Sequence, residues 1–469
     1  MLIVHKFGGT SVGSAERFAA VAEILLAVEQ PPVVVVSAMS KVTSQLIAGA
    51  RAAAEGRDTV YREIKAGLLA RHLQVVDALL TRSRERLEVG GLVEDRLHEL
   101  ERLYRSIAVL GEVTVRGLDA VASFGEQLSA HILAAVLRER GARAEAVSAT
   151  ELIVTDEAFG AAHPLPAPTR ERLQARVRPR VERNIIPVIT GYIAATETGV
   201  TTTLGRGGSD FTAALVAAGL DADEVWIWSD VDGILTADPN LVPQARTLPE
   251  LSYGEAADLA YYGADVLHPK TIGPVVANGI PLRLLNSFNP QHPGTLVVES
   301  PRADRERLPA IISTTGLTLI AAGSRDDTWA LALTACALQC LSAAGVDVPM
   351  FSQSFSEHAL NLVLREQDQS HALKVLQGEF AELAVDNFTL EVKEKVATVS
   401  VVGVPGWNDK GIVSHAFAAL GQHGTRVIAV AQAATEYNVS FCIPEDQMAD
   451  TVRALHRELG LERTENHES

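Results

Sequence analysis

Up to about residue 300 the chain is punctuated by short runs rich in β-branched and aliphatic residues, at 2–4, 33–37, 185–190, 225–229 and 280–284, each followed by a longer stretch of helical character. Strands that alternate with helices imply a largely parallel sheet, because parallel neighbours must be joined by crossovers that lay helices on both faces. The strand runs lack polar alternation, which fits burial on both sides. Aromatic residues make up only 5% of a chain that is 47% hydrophobic, so such a core must be built from Ala, Val, Leu and Ile. Between the strands, 96–110 places Leu97, Leu100, Leu103, Ile107 and Leu110 on one face with charges opposite, the pattern of an amphipathic helix.

A short charged run at 301–307 follows a strand-like segment at 295–298 and reads as the linker out of this first domain. Beyond it the sequence repeats itself with an offset of 79 residues. Gly345 matches Gly424, Val348 matches Val427, Gln353 matches Gln432 and Glu357 matches Glu436, with Leu341 and Leu420, and Ser356 and Thr435, in step. Each copy reads as a helix, a glycine turn, a strand, a polar QxxxE loop and a second strand, so two tandem βαββαβ modules are expected. We place the domains at 1–303, 308–390 and 391–462, the last two able to interleave.

Several function classes are disfavoured. With 58 acidic against 41 basic side chains the formal charge is −17, which repels nucleic-acid backbones and anionic lipid surfaces. Cys336, Cys340 and Cys442 form no CxxC pair and suggest neither a disulfide framework nor a zinc site. The start of the chain reads as a strand and the apolar stretch 329–346 as a buried helix, so a soluble cytoplasmic protein is expected, with no resident metal site.

Four segments carry chemistry, one of them the loop Ser229 to Ile234, which follows the strand 225–229 where an open α/β sheet places a nucleotide and which alone is equally a DG turn. Lys6-Phe7-Gly8-Gly9-Thr10-Ser11 lies between the first strand and the next helix, where glycines let backbone N–H groups approach a phosphate. Alone it is equally an ordinary turn. Thr201 to Asp210, TTTLGRGGSD, is more specific: a hydroxyl- and glycine-rich loop opening a helix, with Arg206 able to hold a carboxylate by two hydrogen bonds. Helix capping by Ser209 or Asp210 explains part of it, though not three threonines and three glycines. In Ser123 to Ser129, SFGEQLS, Glu126 sits in an apolar helical stretch and needs a cationic partner, which a substrate ammonium or a structural arginine could supply.

Taken together, KFGGTSV at 6–12, VVSAMSKVT at 35–43, SFGEQLS at 123–129, TTTLGRGGSD at 201–210, WSDVDGILTADP at 228–239 and VLHPKT at 266–271 resemble the motif set of aspartate kinases, in order and spacing. The repeated C-terminal part is similar to the paired ACT regulatory modules of that family. The resemblance implies an amino-acid-kinase-like three-layer αβα sandwich followed by two ferredoxin-like ACT modules. It implies transfer of the γ-phosphoryl group of MgATP to the β-carboxylate of L-aspartate, the first step towards lysine, threonine and methionine. By the same resemblance Lys6, Phe7, Gly8, Gly9, Ser229, Asp230, Leu235, Asn240, Asp265 and Val266 fall at nucleotide-binding positions. Thr43, Glu126, Arg206 and Ser209 would bind aspartate, Glu126 taking its ammonium and Arg206 its α-carboxylate. Asp210 would organise Lys6 or the bound ammonium, and Mg²⁺ would be held chiefly by ATP phosphates and water.

The sequence departs from the family where Asp265 replaces a Lys or Arg, Asn240 an Arg and Leu235 a Tyr. Two cationic phosphate partners are missing, which keeps open a catalytically weak homologue serving as an amino-acid sensor, beside a kinase for another carboxylate. The segments SQSFSEH at 352–358 and AQAATEY at 431–437 hold Gln353 and Gln432, the expected effector contacts, and resemble threonine-responsive members more than lysine-responsive ones. Pairing of ACT modules between chains implies a homodimer or homotetramer.

Overall fold

The computed structural model describes all residues except 263–266, 303–306, 325–330, 355–358, 383–387, 404–410, 433–437 and 463–469. By contacts the chain divides into two units, the first comprising 1–234, 249–257 and 265–305, the second 235–248, 258–264 and 306–469.

In the first unit the chain runs through β1 (Ile3–Phe7), α1 (Ala15–Leu26), β2 (Val33–Val36), α2 (Val42–Ala54), α3 (Asp58–Leu79), α4 (Ser83–Leu110), α5 (Val115–Ala122), α6 (Phe124–Glu139), β3 (Ala144–Val147), β4 (Val154–Thr155), α7 (Pro166–Arg176) and α8 (Arg178–Glu182). It continues through β5 (Ile186–Thr190), β6 (Ile193–Thr196), β7 (Thr201–Thr203), α9 (Gly208–Leu220), β8 (Glu224–Ser229), β9 (Glu250–Ser252), α10 (Tyr253–Tyr262, whose last turn clusters with the second unit), α11 (Pro269–Ala277), β10 (Leu282–Asn286) and β11 (Thr295–Val298). Eight strands form one sheet in the order β3-β5-β2-β1-β8-β10-β11-β9, parallel except at β10-β11. The expected parallel sheet is present. All four valines of β2 are fully buried, as a strand covered on both faces requires. A small second sheet, β4-β6-β7, was not foreseen.

The helix expected over 96–110 begins at Ser83. Its buried stripe, Val89, Val93, Leu97, Leu100, Tyr104 and Ile107, keeps three- and four-residue spacing through Gly90 and Gly91, so packing overrides their poor helix propensity. Among the described residues one helical stretch, Val115–Glu139, is long and apolar enough to cross a membrane; 83% of its apolar window is buried inside the protein, as in a core helix.

The second unit holds β12 (Ala310–Ser324), α12 (Leu331–Ala343), β13 (Met350–Ser354), β14 (Ala359–Arg365), α13 (Gln369–Glu382), β15 (Phe388–Val402), α14 (Ile412–His423), β16 (Ala429–Gln432), β17 (Asn438–Pro444) and α15 (Met448–Glu458). Corresponding strands start 79 residues apart (429 − 350 and 438 − 359), the offset of the sequence repeat. The six strands form one antiparallel sheet, β13-β14-β12-β15-β17-β16, with two-fold pseudosymmetry about its central pair. Each central strand serves twice. The later part of β12, Leu317 to Gly323, pairs with β14 on one side and with the first part of β15 on the other, and its first part, Ala310 to Thr314, pairs with Val402 to Thr398 of β15, the stretch that also pairs with β17. The register shifts between Thr314 and Leu317, beside Gly316. Ile320, Ala322, Leu360, Leu362 and Leu364 share a core with α12 and α13, while Leu317, Leu319, Val363 and Val396 lie in a separate cluster with Cys442.

Residues 235–248 cluster with this unit. Thr236 is tied by its N–H to Arg246 O (2.8 Å) and by its O to the Ile311 N–H (2.8 Å), and its hydroxyl meets His456 Nε2 at 3.0 Å.

Candidate active site

Parallel strands end in the same direction, and here the ends of β1, β2, β5 and β8 are hydrogen-bonded side by side. Gly8 N–H donates to Trp228 O (3.3 Å), Ser37 N–H to Phe7 O (3.1 Å) and Gly191 N–H to Val36 O (2.9 Å). The turn after β1 presses against the turn after β2: Ser40 N–H donates to Gly9 O at 3.0 Å, and a Cβ on Gly9 would stand 2.9 Å from Ala38 O. Only glycine permits that approach. Arg71, from α3, clamps both turns by donating to Ser40 O (2.8 Å) and Gly13 O (3.0 Å).

Helix α9 opens toward these turns. Its N-cap, Gly207, has φ +70° and lies against His268, so a side chain there meets both backbone strain and a collision. Asp210 in the first turn forms an ion pair with Lys6, Nζ to Oδ1 2.5 Å, with side chains 15% and 11% exposed. Burial pushes the His268 imidazole below its ordinary range, assisted by Lys270 and Arg206.

The turns enclose a cavity of about 620 Å³ lined by Lys6, Thr43, Glu126, Arg206, Ser209 and Asp210 among others. Glu126 is 3% exposed and accepts from the backbone of Ala38, but its Oε2 is buried with no hydrogen-bond partner among the described residues. Desolvation pushes its carboxyl up to about 8. A buried carboxyl with an empty oxygen facing a polar cavity is a receptor for a cationic donor. The same cavity is lined by the Lys6, Lys41 and Arg206 cations and by the Asp210 carboxyl, so it offers partners for both charges of an amino acid.

Seven residues nominated from sequence therefore come together: Lys6, Gly9, Thr43, Glu126, Arg206, Ser209 and Asp210. Gly8 sits beside them, a Cβ on it falling 3.5 Å from Lys6 Nζ. The Phe7 ring is fully buried and stacked on Trp228, centroids 5.7 Å apart, leaving only its backbone to meet a ligand. Ser229 and Asp230 stand at the end of β8; the Ser229 carbonyl accepts from Ser287, and Asp230 is exposed. Leu235 and Asn240 belong to the second unit, Leu235 bridging Thr247 and Asn240 donating to Asp238. Asp265 and Val266 lie outside the described residues. Gln353 on β13 has a buried Nε2 with no partner among the described residues, Gln432 on β16 is exposed, and the QxxxE glutamates Glu357 and Glu436 lie outside the described residues.

Sequence reasoning missed Lys41, Gly160 and Tyr192, which line the cavity, and Asp119 and Arg71, which hold its walls. Lys41 and Tyr192 both have φ +66°, a conformation rare for residues with side chains and common at sites. Lys41 lay within VVSAMSKVT, so the signal was present; Asp119 and Arg71 sit on ordinary helical patterns and gave none.

The amino acid kinase family matches residues 1–286, and the ACT domain family matches 399–459. Aspartokinase 1, chloroplastic, of Arabidopsis thaliana is 33% identical over 97% of this chain and 79% of its own length. The chain belongs to the aspartokinases. Within that family, E. coli aspartokinase III in complex with aspartate and ADP (R-state) superposes with a TM-score of 0.83 at 29% identity, covering 98% of this chain and 100% of that one. The same enzyme in complex with lysine and aspartate (T-state) gives 0.78 at 29% identity, covering 98% and 99%. The aspartokinase fold, an amino acid kinase region followed by ACT-type modules, thus extends over nearly the whole chain.

Proposed function

We propose that this aspartokinase transfers the γ-phosphoryl group of ATP to the β-carboxylate of L-aspartate, giving 4-phospho-L-aspartate and ADP. The observation that carries the reading is Glu126 Oε2, buried and without a hydrogen-bond partner among the described residues, in a carboxyl that shares a cavity with Lys6, Arg206 and Asp210. Glu126 takes the substrate ammonium, Arg206 the α-carboxylate, and Thr43 and Ser209 line the space between.

A β-carboxylate oxygen attacks the γ-phosphorus as the bond to the β,γ-bridging oxygen breaks, and ADP leaves with the electron pair. No proton moves, since a carboxylate with a pKa near ~3.9 is already ionised at neutral pH. Lys6 faces the phosphates, held by Asp210, while the backbone of Gly8 and Gly9 approaches them. Ser229 and Asp230 lie near the nucleotide. Mg²⁺ would arrive with the nucleotide, since among the described residues no cluster of three or more His, Cys, Asp or Glu could hold it, and it would supply charge neutralisation of the transferred group.

We place the catalytic domain at 1–303 and ACT modules at 308–390 and 391–462, interleaved through the pairing of 310–314 with 398–402. An amino acid, threonine or lysine, acts through them, with Gln353 and Gln432 as contacts. The edge strand β13, with half-exposed Phe351, supports association of chains as a homodimer or homotetramer. Three free cysteines suit a reducing cytoplasm. The test is acyl-phosphate formation from MgATP, trapped as the hydroxamate: aspartate supports turnover far better than glutamate, and lysine or threonine suppresses it. Binding of MgATP without turnover would leave an amino-acid sensor instead.

A further inference from the structure

Asp119, on α5, is 3% exposed and, among the described residues, makes no ion pair. Its carboxylate instead collects three donors from two other segments. Oδ2 accepts from Gly160 N–H at 2.8 Å and from Thr203 N–H at 3.2 Å, and Oδ1 accepts from the Thr203 hydroxyl at 2.6 Å. A buried carboxylate held by neutral donors carries a desolvation cost that apolar packing would avoid, and in return it fixes the segments that supply the donors.

All three segments reach the cavity. Helix α5 passes through Ser123 directly into α6, which carries Glu126. Gly160 lines the cavity wall. Thr203 ends β7 and leads through Leu204 and Gly205 to Arg206. Gly205 rests on the Gly160 turn, a Cβ on it falling 3.3 Å from Ala161 Cβ and 3.4 Å from Gly160 O, so a displaced Gly160 displaces the approach to Arg206. Ala162 N–H donates to Thr203 O at 2.9 Å and closes the same knot.

We infer that Asp119 is a positioning residue that fixes the distance between Glu126 and Arg206, and so sets the length of amino acid the pocket accepts. The inference rests on the proposed assignment of those two residues as the ammonium and carboxylate poles. Its functional signature is a loss confined to the amino-acid substrate. In Asp119→Asn one acceptor oxygen becomes an NH₂ group facing a donor, which frees either the Gly160 turn or Thr203.

The experiment measures KM for aspartate and for ATP, and the kcat/KM ratio of aspartate over glutamate, in wild type, Asp119→Asn, Thr203→Val and Thr203→Ser. Expected in Asp119→Asn is a rise of about tenfold in KM for aspartate, less than twofold for ATP, and a fall in the aspartate-over-glutamate ratio. Thr203→Val shows the same split more weakly, and Thr203→Ser, which keeps the hydroxyl, restores wild-type values. The two threonine variants carry the test if Asp119→Asn does not fold. An unchanged KM for aspartate, or equal rises for both substrates, overturns the inference. Wild type that fails to turn over aspartate removes the pocket assignment itself, a distinct result.

Discussion

Lys6 Nζ lies 2.5 Å from Asp210 Oδ1, joining the end of the first strand to the first turn of α9 inside one cavity. The pair fixes a cation that would otherwise sample many rotamers, and it leaves the other ammonium hydrogens free to meet phosphate oxygens. Lys6→Met is expected to lower kcat by roughly 10²–10³-fold, the cost of losing a preorganised charge at the transferred group. Asp210→Asn keeps the shape but loosens the lysine, with a smaller loss of about tenfold. Steady-state kinetics decide it: Lys6→Met with most of its activity intact would remove Lys6 from the reaction.

Glu126 makes the ligand-free protein pH-sensitive. Its carboxyl titrates near the ordinary 4.5 when unfolded and at about 8 when folded, because burial disfavours the anion. Below pH ~4.5 both states hold the proton; between there and about 8 the folded state keeps a proton the unfolded state has released. Stability therefore falls as pH rises through that window, by at most roughly 1.4 kcal/mol for each pH unit, and the loss is complete above it. Glu126→Gln should flatten this dependence in denaturation curves taken from pH 5 to 9, while raising KM for aspartate. An unchanged slope would show that another group sets it.

Gly9→Ala brings a methyl group to 2.9 Å from Ala38 O, so the turns after β1 and β2 must separate. The fold should survive, since the hydrogen bonds of β1 and β2 that precede the turns are kept, and kcat/KM should drop about tenfold or more through misplaced phosphate donors. A variant with full activity would mean that the two turns already open during turnover.

Thr236→Val tests the second unit. The Thr236 hydroxyl accepts from Arg246 N–H at 2.9 Å and meets His456 Nε2 at 3.0 Å, and His456 is fully buried with no partner for Nδ1. Removing the hydroxyl strands two polar groups at constant volume, a loss of about 1–3 kcal/mol in urea unfolding. Wild-type stability would indicate that water reaches the imidazole.

Much of the architecture was legible because it is written locally. The valines of β2, the stripe of α4 and the 79-residue offset of the strand pairs each lie within a window that periodicity can read. The doubled use of β12 was not legible. Whether 310–314 pairs with its own repeat or with 398–402 depends on backbone hydrogen bonds between segments far apart in sequence, and both pairings suit the same residue types. The beginning of α4 was missed for a related reason, since Gly90 and Gly91 oppose a helix that tertiary burial enforces.

For the site, the sequence by itself marked out residues that line one cavity, because glycine runs, a lone carboxylate in an apolar helix and an arginine in a hydroxyl-rich loop are unusual wherever they occur. Only the tertiary structure decided how they act together: that Asp210 meets Lys6, that Glu126 Oε2 is left without a partner, and that Asp119 and Arg71, unremarked on their helices, hold the walls. Distance between side chains remote in sequence is set by the burial of the whole core, and desolvation, which turns a carboxyl into a receptor, exists only once that core has formed.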